Sequence, residues 1–313
     1  MSLPAAPFGR VLTAMVTPFT SDGAIDVDAA QAVASHLADH GHDGLVLSGT
    51  TGESPTTTVA ENGDLVRAVV EAVGDRVEVV AGVGTNSTAH SLELTEQADK
   101  LGAAGVMVVT PYYSKPSQPG VLAHFRAVAQ ATELPVMLYD VPGRTGLRIA
   151  WETYEQAASI DNVVAVKEAV GDLVQGVRLM RDLGLAVYCG DDAHNLAWLA
   201  HGACGVISVV GHVAGDQHAA LVRAVDEGDL DRAREIFHSL LPAIAAVMGV
   251  ANYGGTTAKA ALQLAGVLDN RRVRLPLVEL DDAEVEALRS GLTADTCSDH
   301  HDPMPTRQDP LPP

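Results

Sequence analysis

The sequence has few aromatic residues and few lysines. Only 4% of its 313 residues are aromatic although 47% are hydrophobic, so the core must consist mainly of Ala, Val, Leu and Ile. A hydrophobic fraction of this size excludes the disordered and fibrous classes of protein. Sixteen arginines but only four lysines are present, and the lysines are Lys100, Lys115, Lys167 and Lys259. A reaction that needs an amine therefore has few candidate residues.

Cysteine and long apolar runs are also scarce. Cys189, Cys204 and Cys297 form no CxxC pair, and an odd number of cysteines in a long chain is typical of free thiols in a reducing cytosol. We expect Cys189 and Cys204, which lie in apolar runs, to be core residues. No apolar run is long enough to span a bilayer or to act as a secretory signal. The sequence therefore predicts a soluble, cytoplasmic protein.

Positive charge is in deficit. Forty acidic residues against twenty basic ones give a formal net charge of −20. A surface with this balance repels both nucleic acids and anionic lipids. We therefore expect neither a nucleic acid nor a membrane as a partner.

Short apolar runs alternate with amphipathic segments over residues 1–225. Runs that are rich in Val, Ile and Leu, without alternating polar residues, are typical of strands buried on both faces of a parallel sheet. The eight runs are Val11–Val16, Gly44–Leu47, Val77–Ala81, Gly105–Val109, Pro135–Leu138, Val163–Val166, Leu185–Val187 and Gly205–Val209. Eight such units predict an α/β fold, a TIM (β/α)8 barrel. An open doubly wound sheet is the alternative, but no GxGxxG motif follows the first run.

Helical periodicity continues beyond the barrel. Residues 226–292 have the pattern of several helices and predict a C-terminal helical appendage. Residues 293–313 contain five prolines and no periodicity, which predicts a disordered tail. Within the barrel, Asp26 and Thr88 stand where helix N-caps are expected.

The position of Lys167 is the most informative feature for function. This residue directly follows the run Val163–Val166, so its amine is expected at the end of a buried strand. Burial disfavours the charged form of an amine, and a neutral amine can attack a carbonyl to form a Schiff base. The alternative is a structural ion pair with Glu168 or Asp191. We favour the functional interpretation because a lysine without a function normally lies on a solvated surface.

Other barrel loops that follow strands also carry polar groups. Residues 48–54 read SGTTGES, and such a glycine-rich turn with two hydroxyls can bind a carboxylate or phosphate. Residues 139–146 read YDVPGRTG, which adds a phenol and a guanidinium. Residues 190–194 read GDDAH and superficially resemble a metal site. An N-cap followed by a first-turn acid is the simpler interpretation, and we predict no metal.

Six motifs together resemble one enzyme family. They are GTTGES (49–54), VTPYY (109–113), LYDVPGRTG (138–146), VAVKEA (164–169), CGDDA (189–193) and GVISV (205–209). Their order and spacing are similar to those of the dihydrodipicolinate synthase branch of the pyruvate-dependent class I aldolase and N-acetylneuraminate lyase family. The resemblance extends over residues 10–290. It implies a carbon-oxygen lyase that condenses pyruvate with L-aspartate 4-semialdehyde to 4-hydroxy-tetrahydrodipicolinate, in diaminopimelate and lysine biosynthesis.

The resemblance also assigns catalytic roles. Lys167 would form the imine with pyruvate, so no cofactor is expected. Tyr139 would pass protons through Thr51 to Tyr113. In family members this last tyrosine comes from a neighbouring subunit, which implies at least a dimer. The usual assembly of the family is a homotetramer, a dimer of dimers, and the resemblance makes this the expected form.

Substrate-binding residues follow from the same resemblance. Thr50 and Thr51 would bind the pyruvate carboxylate, and Arg144 would bind the carboxylate of the second substrate. Gly190 and Ile207 would line the pyruvate pocket. The competing assignments are an N-acetylneuraminate lyase or a 2-keto-3-deoxy sugar acid aldolase. These enzymes usually have a different sequence where this chain has RTG after the fifth strand, so the motif favours the synthase. A non-catalytic barrel that serves as a binding subunit is a more remote alternative.

Three positions depart from the pattern of family members that lysine inhibits. Those members usually have His, His and Glu where this chain has Val59, Asn62 and His90. Each charge-assisted hydrogen bond to lysine is worth roughly 1.5–3 kcal/mol, so three losses should be severe. The resemblance therefore implies weak or absent feedback inhibition by lysine.

Overall fold

The computed structural model describes residues 5–249 and 254–292. Within them, eight parallel strands close into a barrel in sequence order, so the predicted TIM barrel is confirmed. The strands are β1 (Val11–Ala14), β2 (Gly44–Leu47), β3 (Glu78–Gly82), β4 (Gly105–Val109), β5 (Val136–Asp140), β6 (Val163–Glu168), β7 (Ala186–Cys189) and β8 (Gly205–Ser208).

Helices follow the strands and cover the barrel. They are α1 (Val27–Asp39), α2 (Val59–Val73), α3 (Thr88–Lys100), α4 (Gln118–Gln130), α5 (Pro142–Thr145), α6 (Trp151–Ala157), α7 (Leu173–Leu183), α8 (Asn195–Ala200), α9 (Gly211–Asp226), α10 (Leu230–Met248), α11 (Gly254–Leu264) and α12 (Asp282–Gly291). None of the helices in the described ranges is long and apolar enough to cross a membrane.

Helix capping agrees with the sequence at one expected position and differs at another. The Asp26 carboxylate accepts a hydrogen bond from the Ala29 N–H and caps α1, as predicted. The expectation that Thr88 caps α3 is wrong. Ser87 is the cap and accepts from the His90 N–H, because the helix begins one residue earlier than the hydrophobic pattern indicates.

Two apolar clusters fill the fold. Alternate strand residues such as Leu12, Val46 and Val80 form a cluster inside the barrel, because neighbouring residues of a strand point to opposite faces. The intervening residues, for example Val11 and Leu45, belong to a larger cluster that joins the barrel to its helices. Cys189 and Cys204 are buried, as expected for core residues.

The C-terminal helices pack on the barrel. Helix α10 contacts α9, α11 and α12, and the apolar residues of these helices join the same outer cluster as the strands. We propose a boundary between barrel and appendage near residue 225, at the end of α9. The predicted disordered tail, residues 293–313, lies outside the described residues, as does Cys297.

Strands β5 and β6 are longer than their hydrophobic runs. Their pairing continues through Tyr139 opposite Lys167 and Asp140 opposite Glu168. The apolar runs predict that β5 ends at Leu138 and β6 at Val166. The strands are longer because the polar residues that follow still pair. Tyr139 and Lys167 are therefore fixed by strand hydrogen bonds and do not lie on loops.

Candidate active site

Lys167 and Tyr139 lie side by side inside the carboxyl end of the barrel. The Lys167 Nζ is 4.6 Å from the centre of the Tyr139 ring. Both residues are buried, with 5% of Lys167 and 6% of Tyr139 exposed. The structure thus brings together a cation and a phenol on adjacent strands, in a part of the fold where most other side chains are apolar.

The surroundings of Lys167 favour its neutral form. Burial lowers the pKa of Lys167 to about 8, against the opposing attraction of the Asp192 carboxylate, while Arg144 lowers it further. The carboxylates that could have formed a structural ion pair are bound elsewhere. Glu168 accepts hydrogen bonds from N–H groups of the loop after β6, and Asp191 pairs with His194. The lysine is therefore available for chemistry.

Gly190 leaves the space that the Lys167 side chain needs. A Cβ atom at this position would lie 3.1 Å from both Cγ and Cε of Lys167 and 3.0 Å from the Glu168 carbonyl oxygen. The Gly190 N–H also donates to that carbonyl at 2.8 Å. A side chain here would displace either the lysine or the strand.

The loop of residues 48–54 follows β2 and is held at several points. Its first residue, Ser48, has a left-handed backbone with φ of 51° and donates its hydroxyl to the Asn62 Oδ1 at 2.8 Å. The Gly52 carbonyl accepts a hydrogen bond from the Thr17 hydroxyl at 2.7 Å. The turn itself closes through the Glu53 N–H, which donates to the Thr50 carbonyl. Such fixed backbone geometry is what a carboxylate receptor requires.

A cavity of about 450 Å³ opens above this loop. Four of the residues that the sequence singled out line it, namely Thr50, Tyr113, Tyr139 and Arg144. Lys167 is not among the lining residues, but its Nζ lies 4.6 Å from the centre of the Tyr139 ring, which is. The cavity is large enough for two small metabolites.

Tyr139 is a weak acid in this environment. Burial raises the pKa of Tyr139 to about 12, although Arg144 and a hydrogen bond with the Thr50 side chain act in the opposite direction. A phenol of this kind exchanges protons near neutral pH only with help from a hydrogen-bonded neighbour. The hydrogen bond that acts on the Tyr139 phenol comes from Thr50. The relay through Thr51 that the resemblance implies stays a prediction.

Thr51 and Ile207 are buried and are not among the residues that form the cavity wall in the described chain. Ile207 belongs to the inner barrel cluster together with Tyr139. Tyr113 is 89% exposed and has a left-handed backbone with φ of 71°, and Arg144 is also exposed.

Asp192 is a buried site neighbour whose role the sequence did not indicate. The motif reading is confirmed for Asp191, which caps the turn after β7, and Asp192 is its first-turn acid. Asp192, however, is only 2% exposed. Its carboxylate accepts from the Ser208 hydroxyl at 2.5 Å and contacts the His218 Nε2 at 3.2 Å. Burial alone would raise the pKa of Asp192, but these hydrogen bonds lower it to about 2.

The described residues contain no group of three or more His, Cys, Asp or Glu side chains arranged to hold a metal ion. The groups that gather at the barrel mouth are instead an amine, two phenols, hydroxyls and a guanidinium. These groups can bind carboxylates, form an imine and transfer protons.

Comparison with known proteins gives consistent results. Residues 7–295 match the model of the dihydrodipicolinate synthetase family. A 4-hydroxy-tetrahydrodipicolinate synthase from Kineococcus radiotolerans is 56% identical over 289 residues, which cover 92% of this chain and 94% of that protein. The crystal structure of a dihydrodipicolinate synthase from Bacillus anthracis has a TM-score of 0.86 and 40% identity, and the match covers 91% and 97% of the two chains. A structure of the enzyme from Cyanidioschyzon merolae with lysine bound has a TM-score of 0.86 and 41% identity, with coverage of 91% and 97%.

Proposed function

This chain belongs to the dihydrodipicolinate synthetase family, and we propose on that basis that it is a lyase that condenses pyruvate with L-aspartate 4-semialdehyde to give 4-hydroxy-tetrahydrodipicolinate. This reaction belongs to diaminopimelate and lysine biosynthesis. The observation that carries the proposal is the buried amine of Lys167 beside the Tyr139 ring.

The proposed reaction begins with attack of the neutral Lys167 amine on the pyruvate ketone. One water leaves and a C=N bond forms, whose protonated nitrogen makes the pyruvate methyl group acidic. Loss of a methyl proton gives an enamine, and its carbon attacks the aldehyde of the second substrate. The amine of that substrate then displaces Lys167 from the imine carbon, which closes the ring and frees the enzyme. The imine nitrogen serves as the electron sink, so this sequence of steps uses no cofactor.

Tyr139 is proposed to move protons to and from the imine. The relay would run from Tyr139 towards Tyr113 through a threonine of the 48–54 loop. The resemblance implies Thr51 for this step, and the hydrogen bond between Tyr139 and Thr50 supports Thr50 as the alternative. A second subunit would bring its own Tyr113 to this site. This requirement is the reason to propose an oligomer, with the homotetramer of the family as the expected form.

The substrate carboxylates are proposed to bind at two places. The first is the 48–54 loop, where the backbone N–H groups and hydroxyls of Thr50 and Thr51 would receive pyruvate. The second is Arg144, whose planar guanidinium suits a bidentate carboxylate at the cavity wall. Gly190 and Ile207 would shape the pyruvate pocket through their backbone. These local devices would offset the repulsion of anionic substrates by a chain of net charge −20.

The proposed location is the cytoplasm. It is supported by the two cysteines in the described ranges, Cys189 and Cys204, which are both free thiols, as is common in a reducing compartment.

Trapping with borohydride tests the proposal. Pyruvate and borohydride should add a stable covalent adduct to the peptide that contains Lys167, while Lys167→Arg under the same conditions should remain unmodified. An adduct on another residue would refute the assignment. Consumption of pyruvate with aspartate semialdehyde, compared with release of pyruvate from sialic acid, would distinguish the synthase from the sugar-acid lyases.

A further inference from the structure

Glu53 occupies the far end of the 48–54 loop and has an unusual conformation. It is not a glycine, yet its backbone is left-handed with φ of 57°, and its side chain is only 1% exposed. Residues other than glycine rarely adopt this backbone conformation unless the surrounding structure holds them in it. A buried carboxylate also needs partners for both of its oxygens.

The first partner comes from the C-terminal appendage. Lys259, on α11, places its Nζ 2.5 Å from the Glu53 Oε1 and also donates to the Arg272 carbonyl at 2.8 Å. The same ammonium lies 4.2 Å from the centre of the Phe19 ring. Burial lowers the pKa of Lys259 to about 8, while the neighbouring Glu53 carboxylate opposes this change. The pair is separated by 206 positions in the chain.

The second partner is Arg274, in the segment after α11. Its backbone N–H donates to the Glu53 Oε2 at 2.9 Å, and its guanidinium donates to the carbonyls of Gly23 and Thr56. The guanidinium also pairs with Glu61 at 2.5 Å. The appendage therefore binds both oxygens of Glu53, the backbone just after the loop at Thr56 and the backbone between β1 and α1 at Gly23.

We propose that Glu53, Lys259 and Arg274 are positioning residues that set the geometry of the 48–54 loop, so that the C-terminal helices determine the affinity for the pyruvate carboxylate. This inference rests on the proposed function of the loop. A receptor made of backbone N–H groups depends on the directions of its peptide planes, and a shift of about 1 Å lowers binding strongly. None of the three side chains needs to touch the substrate.

The experiment measures borohydride trapping at Lys167 as a function of pyruvate concentration. The double variant Glu53→Gln/Lys259→Met removes both buried charges together, and Arg274→Gln removes the outer contacts but keeps the buried pair. We expect half-maximal trapping to need at least tenfold more pyruvate in the double variant and about threefold more in Arg274→Gln. The trapped fraction at saturation should remain within twofold of wild type in both.

Arg272→Gln is the matched control. It makes the same chemical change two residues away, in a side chain that pairs with Glu279 at the surface. The pyruvate concentration that gives half-maximal trapping in this variant should equal that of wild type. Should the double variant fail to fold, Arg274→Gln alone decides.

The outcomes separate the two proposals. Absence of an adduct on Lys167 in wild type would refute the proposed function. Suppose instead that the wild type forms the adduct normally. The positioning role is then refuted if the folded variants need the same pyruvate concentration for half-maximal trapping, or if they lose only trapped fraction at saturation. The proposed function would stand in either case.

Discussion

Lys167 and Tyr139 are register partners on neighbouring parallel strands, and the lysine Nζ lies 4.6 Å from the centre of the tyrosine ring. Strand pairing holds the two side chains together without a direct hydrogen bond between them. The lysine is buried, and burial lowers its pKa to about 8. The proposed nucleophile is thus partly neutral under physiological conditions.

The rate of imine formation should depend on pH through Lys167. Only the neutral amine attacks the ketone, so the rate at low pyruvate concentration should rise with pH up to about 8 and then level off. Rapid-quench borohydride trapping between pH 6 and pH 9.5 measures this profile. A rate that keeps rising to pH 9.5 would contradict a lowered lysine pKa.

Replacement of the lysine by an apolar side chain should stabilise the fold while it abolishes trapping. The pKa of Lys167 falls from 10.5 to about 8 on folding, so its burial costs about 3 kcal/mol of stability at neutral pH. Lys167→Met, which nearly conserves volume, should therefore raise the free energy of unfolding by up to that amount.

The sign of this effect also predicts its pH dependence. Below pH 8 both the folded and the unfolded lysine are charged and the full cost applies, whereas between pH 8 and 10.5 the folded form loses its proton and the cost decreases. Urea denaturation should show that Lys167→Met increases the free energy of unfolding more at pH 7 than at pH 10. An equal gain at both values, or a loss of stability, would contradict this account.

Two threonine variants should distinguish the two possible relays. Thr50→Val removes the hydroxyl that contacts the Tyr139 phenol, and we expect kcat to fall roughly 100-fold, the lower end of the effect of general acid–base groups. Thr51→Val makes the same change in the neighbouring residue, whose N–H group is retained. Steady-state kinetics should show less than a fivefold change for Thr51→Val, and a reversed order would restore the relay through Thr51.

The sequence allowed the barrel to be predicted more completely than the site. Short runs of Val, Ile and Leu located all eight strands, but β5 and β6 extend beyond their apolar runs because Asp140 and Glu168 still pair. The resemblance implies Thr51 for the proton relay, whereas the hydrogen bond to Tyr139 comes from Thr50. Adjacent residues of a loop have no periodicity from which the directions of their side chains could be predicted.

The partners of Glu53 had no local signal in the sequence. Lys259 lies 206 positions away on α11, where residues 254–262 are all buried, and the pair forms only when the appendage folds onto the barrel. Two of the four lysines in the chain, Lys167 and Lys259, are buried.

Lysine should inhibit this enzyme weakly. Val59 packs against the apolar cluster, and the Asn62 side-chain carbonyl accepts hydrogen bonds from the Ser48 and Thr57 hydroxyls, so neither offers a charge to a bound amino acid. We expect less than 50% inhibition at 1 mM lysine, about what results when several contacts of 1.5–3 kcal/mol are missing. Steady-state rates at subsaturating pyruvate measure this, and inhibition at micromolar lysine would contradict it.

Tyr113 should act in the active site of a partner subunit. Its side chain is 89% exposed in the single chain although it borders the cavity. Tyr113→Phe and Lys167→Ala should each form an inactive homo-oligomer. Mixing the two after reversible dissociation places an intact Lys167 opposite an intact Tyr113, so activity should return in hybrid oligomers. Mixing Lys167→Ala with Lys167→Met is the control and should restore nothing. If the first mixture forms hybrids by native mass spectrometry but stays inactive, Tyr113 acts within its own chain.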